Sequence, residues 1–170
     1  IMKIYKVNPK AELPAYATEG SAAFDLRACF SLGDRIRAYN PLNKLVDLPA
    51  KVIGGQVGIQ IHPQYRVLIP TGLIFDIPKN NVIEIYARSG LALKQGLNLA
   101  NGTAIIDSDY VEETFVMLFN VTDALVVVNA GDRIAQAAVK AAKQLTLVET
   151  TDRPGQKTSR DGGLGSTGVA

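Results

Sequence analysis

The chain has 170 residues, 47% of them hydrophobic and 20% charged, which describes one ordinary globular domain with a sizeable core. A formal charge of +2 gives no electrostatic reason to expect nucleic acid or an anionic membrane as a partner. Cys29 and His62 are each the only residue of their kind, which excludes an intramolecular disulfide and a multi-His metal site. The lone cysteine fits a reducing compartment, and a cytoplasmic location (the host's, for a viral protein) is expected. No signal peptide and no bilayer-length apolar run is recognisable.

Taken in order, short β-rich runs separated by Gly, Pro and Asn predict strands at 3–7, 23–28, 57–61, 66–69, 73–77, 82–87, 114–120, 124–128 and 145–148. Their number and spacing predict an all-β, jelly-roll-like antiparallel sandwich over residues 1–150. Residues 31–65 read as an enlarged, irregular excursion from it, broken by Asp34, Asn40-Pro41, Pro49, Gly54-Gly55 and Pro63. One short helix is predicted over 90–95, with Ser89 as its cap and Gly96 as its stop. The Ala-rich run 133–143 has no decisive period and reads mostly as strand. Residues 151–170 change character and form a glycine-rich C-terminal arm, with almost nothing to bury.

Four stretches carry possible chemistry. In Asn101-Gly-Thr-Ala-Ile-Ile-Asp-Ser-Asp-Tyr110 a hairpin signal at Asn101-Gly102 precedes an apolar pair, Ile105-Ile106, that runs into Asp107. Asp107 is thereby expected at a strand end, although an isolated run of this kind is the better sign of a surface turn. Arg88-Ser89-Gly90 joins a strand to the helix and offers a planar cation, a hydroxyl and open backbone to an anion. Gly131-Asp132-Arg133-Ile134-Ala135-Gln136 reads first as a turn, with Arg133 pairing to Asp132. The last stretch, Gly162 to Gly168, could wrap phosphate oxygens through its backbone amides, Arg160, Ser166 and Thr167. Composition by itself favours a disordered tail there.

Together with Ala23-Phe-Asp-Leu-Arg-Ala28, these stretches stand in the order of five motifs that the chain shares with the trimeric dUTPases, which it resembles over nearly its full length. The resemblance implies hydrolysis of dUTP to dUMP and pyrophosphate. Asp107 matches the aspartate that activates the attacking water, and Tyr110 the tyrosine that packs on the deoxyribose. Asn101, with the hairpin residues Ile105 and Ile106, matches the uracil site. Arg88, Ser89, Gly90 and Gln136 match phosphate contacts. In the arm, Arg160, Leu164, Gly165, Ser166 and Thr167 match the segment that closes over the nucleotide. The resemblance implies Mg²⁺ held by the triphosphate and waters, with Asp25 acting on that water network and no direct protein ligand. It also implies a homotrimer whose sites each draw on three chains.

The chain departs from that pattern in places. Ala87 stands for a usual Pro, Ala104 and Glu112 for usual glycines, and Leu164 for the aromatic over uracil. Arg160 lies one residue nearer the glycines than usual, which makes Arg153 its rival. If Ala104 had to take a positive φ, the hairpin would be strained by roughly 1 kcal/mol or more. Two other readings stay open: a dCTP deaminase, including a bifunctional one, and a non-catalytic nucleotide-sensing regulator that uses 31–65 as its contact surface.

Overall fold

A computed structural model describes residues 1–159 and Gly162. Among these the chain is nearly all β. The first strands are β1 (Lys3–Lys6), β2 (Phe24–Arg27), β3 (Arg35–Tyr39), β4 (Leu45–Pro49), β5 (Lys51–Ile53), β6 (Gln56–Ile61), β7 (Arg66–Pro70), β8 (Leu73–Asp76) and β9 (Asn81–Tyr86). Then come the helix α1 (Ser89–Gln95), β10 (Leu97–Leu99), β11 (Ala104–Ile106), β12 (Phe115–Asn120), β13 (Val126–Asn129) and β14 (Arg133–Ala141). They form four antiparallel sheets, in the orders β10-β12-β7-β3-β4, β11-β9-β14-β2, β13-β6-β5 and β1-β8.

One contiguous core joins the sheets, through Ile83 and Ile85 of β9, Ala135 and Ala137 of β14, Ile59 and Ile61 of β6, and Ile69 of β7. Alternation makes these strands two-faced. In β3 the sequence Arg-Ile-Arg-Ala-Tyr buries Ile36 and Ala38 and leaves the other three exposed. The Ala-rich run is a strand because β9 and β2 flank it on both sides, and a register shift between Arg133 and Ala135 explains its blurred period.

Several expectations change. Residues 31–65 are not irregular: they hold β3, β4, β5 and β6, and they add Ile36, Ala38, Leu48 and Ala50 to the core. Two of the apparent breaks, Asn40-Pro41 and Gly54-Gly55, are hairpin turns. Gly54 and Gly55, both at positive φ, join β5 to β6, and the Asn40 side chain accepts from the N–H groups of Leu42 and Lys44 between β3 and β4. The predicted strand at 145–148 finds no strand partner among the described residues, and Leu145, Leu147 and Val148 are 69%, 94% and 80% exposed. Ser89 is the first helical residue rather than the cap; Arg88 occupies the cap position with extended φ and ψ and makes no side-chain capping bond. Gly96 stops the helix in the left-handed region as expected.

Candidate active site

The phosphate-type residues come together at one end of the β11-β9-β14-β2 sheet. Register brings them there: Gln136 stands opposite Asp25 on one side and Tyr86 on the other, so one face at that end carries all three. Arg88, just past β9, points its Nε at Asp25 Oδ1, 2.9 Å away, and donates from Nη1 to the Arg133 carbonyl at 3.1 Å. Arg133 Nη1 lies 3.2 Å from Asp25 Oδ2. Gln136 Nε2 donates to the Ala87 carbonyl at 2.9 Å, which ties the start of the Arg88 segment to β14. The arginine of the 131–136 stretch therefore pairs with Asp25 and not with Asp132, whose carboxylate instead accepts from the Asn129 N–H at 2.8 Å. Strand parity is the signal that would have found this pairing: Asp25 and Arg27 on β2 share a face, and β14 is their neighbour.

One carboxylate against two guanidiniums leaves this cluster with a net positive charge, and Arg88 and Asp25 are partly exposed, at 26% and 28% of their side chains. An incoming anion meets fixed cationic forks there. Ser89 and Gly90 open α1 directly beside it, and a Cβ added at Gly90 would meet nothing within 4 Å, so the backbone at that point is open to close approach.

The second group of candidate residues runs along β11 and the loop after it. β11 is an edge strand, paired with β9 through Ala104↔Ile85 and Ile106↔Ile83. Ile105 is 54% exposed, Ile106 is half-buried, and Asp107 and Tyr110 are exposed. Tyr110 N–H donates to the Asp107 carbonyl at 3.1 Å and its hydroxyl to the Glu113 carbonyl at 2.9 Å. Asp107 borders a hollow with Lys79, Asn80, Ser108 and Ala142. Asn101 does not sit in a hairpin. β10 pairs with β12 while β11 pairs with β9, so Asn101-Gly102 carries the chain from one sheet to another. Gly102 takes the positive φ of +71°, Asn101 does not, and neither does Ala104, which removes the strain expected there.

Within the chain the two groups stand apart. Asp107 continues β11 to a position opposite Val82, six residues before Arg88; at about 3.3 Å per residue their Cα atoms are roughly 20 Å apart along β9. Arg160, Leu164, Gly165, Ser166 and Thr167 lie outside the described residues. Among the described residues no group of three or more His, Cys, Asp or Glu converges.

Farther along the same sheet face, Lys140 Nζ lies 2.6 Å from Glu84 Oε2 and 5.2 Å from the centre of the Tyr86 ring, whose hydroxyl also bonds Glu84. The hydrogen bond from Lys140, then that from Tyr86, holds the Glu84 carboxyl below its usual 4.5. Glu84 thus favours the folded state above about pH 4.5, and that contribution fades as pH falls through its lowered value. Replacing Lys140 with Ala should return the Glu84 carboxyl towards 4.5, read by NMR titration of its side chain; an unmoved value would remove Lys140 as the cause.

Fold and site define an antiparallel, jelly-roll-like β protein with a cationic cluster suited to a polyphosphate. The comparisons with known proteins are narrower. The dUTPase family model matches residues 56–168, and the chain belongs to the dUTPase family. The chain is 35% identical over 167 residues to the deoxyuridine 5'-triphosphate nucleotidohydrolase of Caulobacter vibrioides (strain NA1000 / CB15N), covering 98% of this chain and 92% of that one. To its counterpart in Treponema pallidum subsp. pallidum it is 37% identical over 163 residues, covering 96% and 94%. Among solved structures, the Staphylococcus bacteriophage 80alpha dUTPase with dUPNHPP superposes with a TM-score of 0.72 at 16% identity, covering 99% of both chains. The Streptococcus mutans dUTPase does so with a TM-score of 0.64 at 22% identity, covering 85% of this chain and 98% of that one. At those identities the structures speak for the fold. The family model begins at Gln56, where β6 starts, so β1 to β5 lie outside its match.

Proposed function

We propose that the chain hydrolyses dUTP to dUMP and pyrophosphate, keeping uracil out of DNA and supplying dUMP for thymidylate synthesis. The observation that carries this reading is the meeting of Asp25, Arg88, Arg133 and Gln136, far apart in sequence, at one sheet end. In the proposed reaction Asp107 takes a proton from a water that attacks the α-phosphorus in line. The bond from that phosphorus to the bridging oxygen breaks, and the electron pair leaves with pyrophosphate. Such a transfer asks chiefly for positioning and neutralised charge, which Arg88, Ser89, the open backbone at Gly90 and a braced Gln136 supply. The free edge of β11 offers main-chain donors and acceptors to the base, beside Asn101, Ile105 and Ile106, and Tyr110 covers the sugar.

Mg²⁺ fits this arrangement without a protein cage. Both Asp25 oxygens are engaged by guanidiniums, so a bound Mg²⁺ would take its ligands from triphosphate oxygens and water, and Asp25 would act on it through that water. When bound it neutralises phosphate charge.

The separation of Asp107 from Arg88 supports a site assembled from several copies, and the reading extends to a homotrimer with three equivalent shared sites. The unpartnered apolar run at 145–148 supports the same conclusion, since it exposes Leu145, Leu147 and Val148 on a segment with strand character. Nucleic acid and membrane have no part in this reading; among the described residues no helix is long and apolar enough to cross a bilayer. A cytoplasmic setting suits its substrate.

Pyrophosphate release from dUTP, dTTP, dCTP and UTP, with and without Mg²⁺, tests the reading. Release from dUTP in strong preference to the other three is expected, and it should depend on Mg²⁺. Ammonia release from dCTP would establish the deaminase instead. Truncation after Thr150 should leave the fold intact and cut turnover strongly; unchanged steady-state kinetics would make the arm a passive tail.

A further inference from the structure

The loop that follows Asp107 is fastened to the β7–β8 turn by four hydrogen bonds. The Thr71 N–H and hydroxyl both donate to the Thr114 carbonyl, at 3.2 and 2.6 Å, and the Thr114 N–H donates to the Leu73 carbonyl at 2.8 Å. The fourth bond is of another kind: the Gly72 N–H donates to Glu113 Oε1 at 2.8 Å. A carboxylate accepting from a backbone N–H makes a charge-assisted bond, stronger than the neutral ones around it.

Gly72 is a rigid anchor. It is buried at a φ of +71°, and a Cβ there would lie 2.8 Å from Ala11 Cβ and 2.9 Å from Cys29 Sγ. Its carbonyl is also held, accepting from the Val7 N–H at 2.9 Å. The Glu113 side chain is therefore clamped to a point that cannot shift without disturbing the core, and its own carbonyl is the acceptor for the Tyr110 hydroxyl at 2.9 Å. Tyr110 is thus held at both ends, by the Asp107 carbonyl through its N–H and by the Glu113 carbonyl through its hydroxyl. The residue is 39% exposed, which leaves part of its surface open to a ligand.

We propose that Glu113 is a positioning residue for sugar selection: its bond to the Gly72 N–H fixes the carbonyl that holds Tyr110, and so keeps the ring where a 2′-hydroxyl would collide with it. This rests on the dUTPase reading and on Tyr110 as the sugar contact. A ring free to swing admits the ribonucleotide; a pinned ring does not. The carboxylate acts through Tyr110 and touches no substrate itself.

The test is the ratio of kcat/KM for dUTP to that for UTP, a quantity that partial unfolding does not move. Glu113→Ala should lose about tenfold of that ratio, mainly through a gain with UTP, within the range that a pocket's discrimination over one hydroxyl allows. Glu113→Gln, whose amide oxygen still accepts from Gly72, should keep the wild-type ratio. Tyr110→Phe keeps the ring, removes the anchored hydroxyl, and should reproduce the loss; it serves equally well if Glu113→Ala fails to fold. An unchanged ratio in either a folded Glu113→Ala or Tyr110→Phe overturns the proposal even if thermal stability falls. A wild-type enzyme that cleaves dUTP and UTP alike overturns the sugar reading itself, and is told apart because it needs no variant.

Discussion

Asp107→Asn is expected to lower kcat for dUTP by about 10²–10⁴-fold, the usual contribution of a positioned general base, while dUTP binds as tightly as before. The amide keeps the size and shape of the carboxylate but cannot take the proton of the attacking water. The substitution is a clean one for structural reasons. Asp107 is exposed at the end of β11, and its carbonyl, not its side chain, accepts from the Tyr110 N–H. No fold-stabilising bond to the carboxylate is lost among the described residues, so thermal stability should stay at the wild-type level. Single-turnover kinetics with dUTP, beside calorimetric binding of a non-hydrolysable analogue, separate the two effects. A variant that retains near-normal kcat would remove Asp107 from the role of base, and one that loses binding as well would make it a ligand of the substrate.

The strands that alternate cleanly are legible from the sequence, because period-two burial leaves its mark residue by residue. β3, which reads as part of an irregular stretch, shows where that fails. Its Arg-Ile-Arg-Ala-Tyr alternates well, but Asn40-Pro41 and Gly54-Gly55 nearby look like breaks when they are hairpin turns. Turn residues carry both meanings, and pairing partners decide between them. Asn101-Gly102 misleads for the same reason. Its chemistry announces a tight turn, but whether the flanking strands pair with each other depends on β12 and β9, roughly 10 to 20 residues away in either direction. The site divides in a similar way. Arg88 and Gln136 are visible as types suited to phosphate, while the partner of Arg133 is not, since local sequence offers Asp132 and only the β14–β2 register offers Asp25. Glu113 gives no signal at all: its function lies in a bond to Gly72, 41 positions earlier.

The segment 144–150 shows why some structure cannot be read from one chain. Leu145, Leu147 and Val148 have the composition of a strand and the exposure of a tail. The hydrophobic effect gives such a run a reason to be covered, and nothing within the described residues covers it. The proposed site divides in the same way, with Asp107 and Arg88 at opposite ends of β9, and the proposed homotrimer would complete both.

Asp107→Asn and Arg88→Ala should each be nearly inactive, yet an equimolar mixture, dissociated and reassembled, should recover activity. If each site takes Asp107 from one copy and Arg88 from another, half of the first positions and half of the second are wild-type in a random mixture. About one quarter of the sites are then intact, and about one quarter of the wild-type turnover should return. Arg88→Ala is suited to this use because Asp25 keeps its second guanidinium, Arg133 Nη1 at 3.2 Å, so the acid is not stranded when Arg88 goes. Native mass spectrometry reads whether mixed oligomers, trimers in the proposed assembly, have formed, and pyrophosphate release reads their activity. A mixture of confirmed hybrids no more active than its parents would place the two residues in one chain's site. That would require a path between them which the register of β11 on β9, with Ile106 opposite Ile83, does not offer.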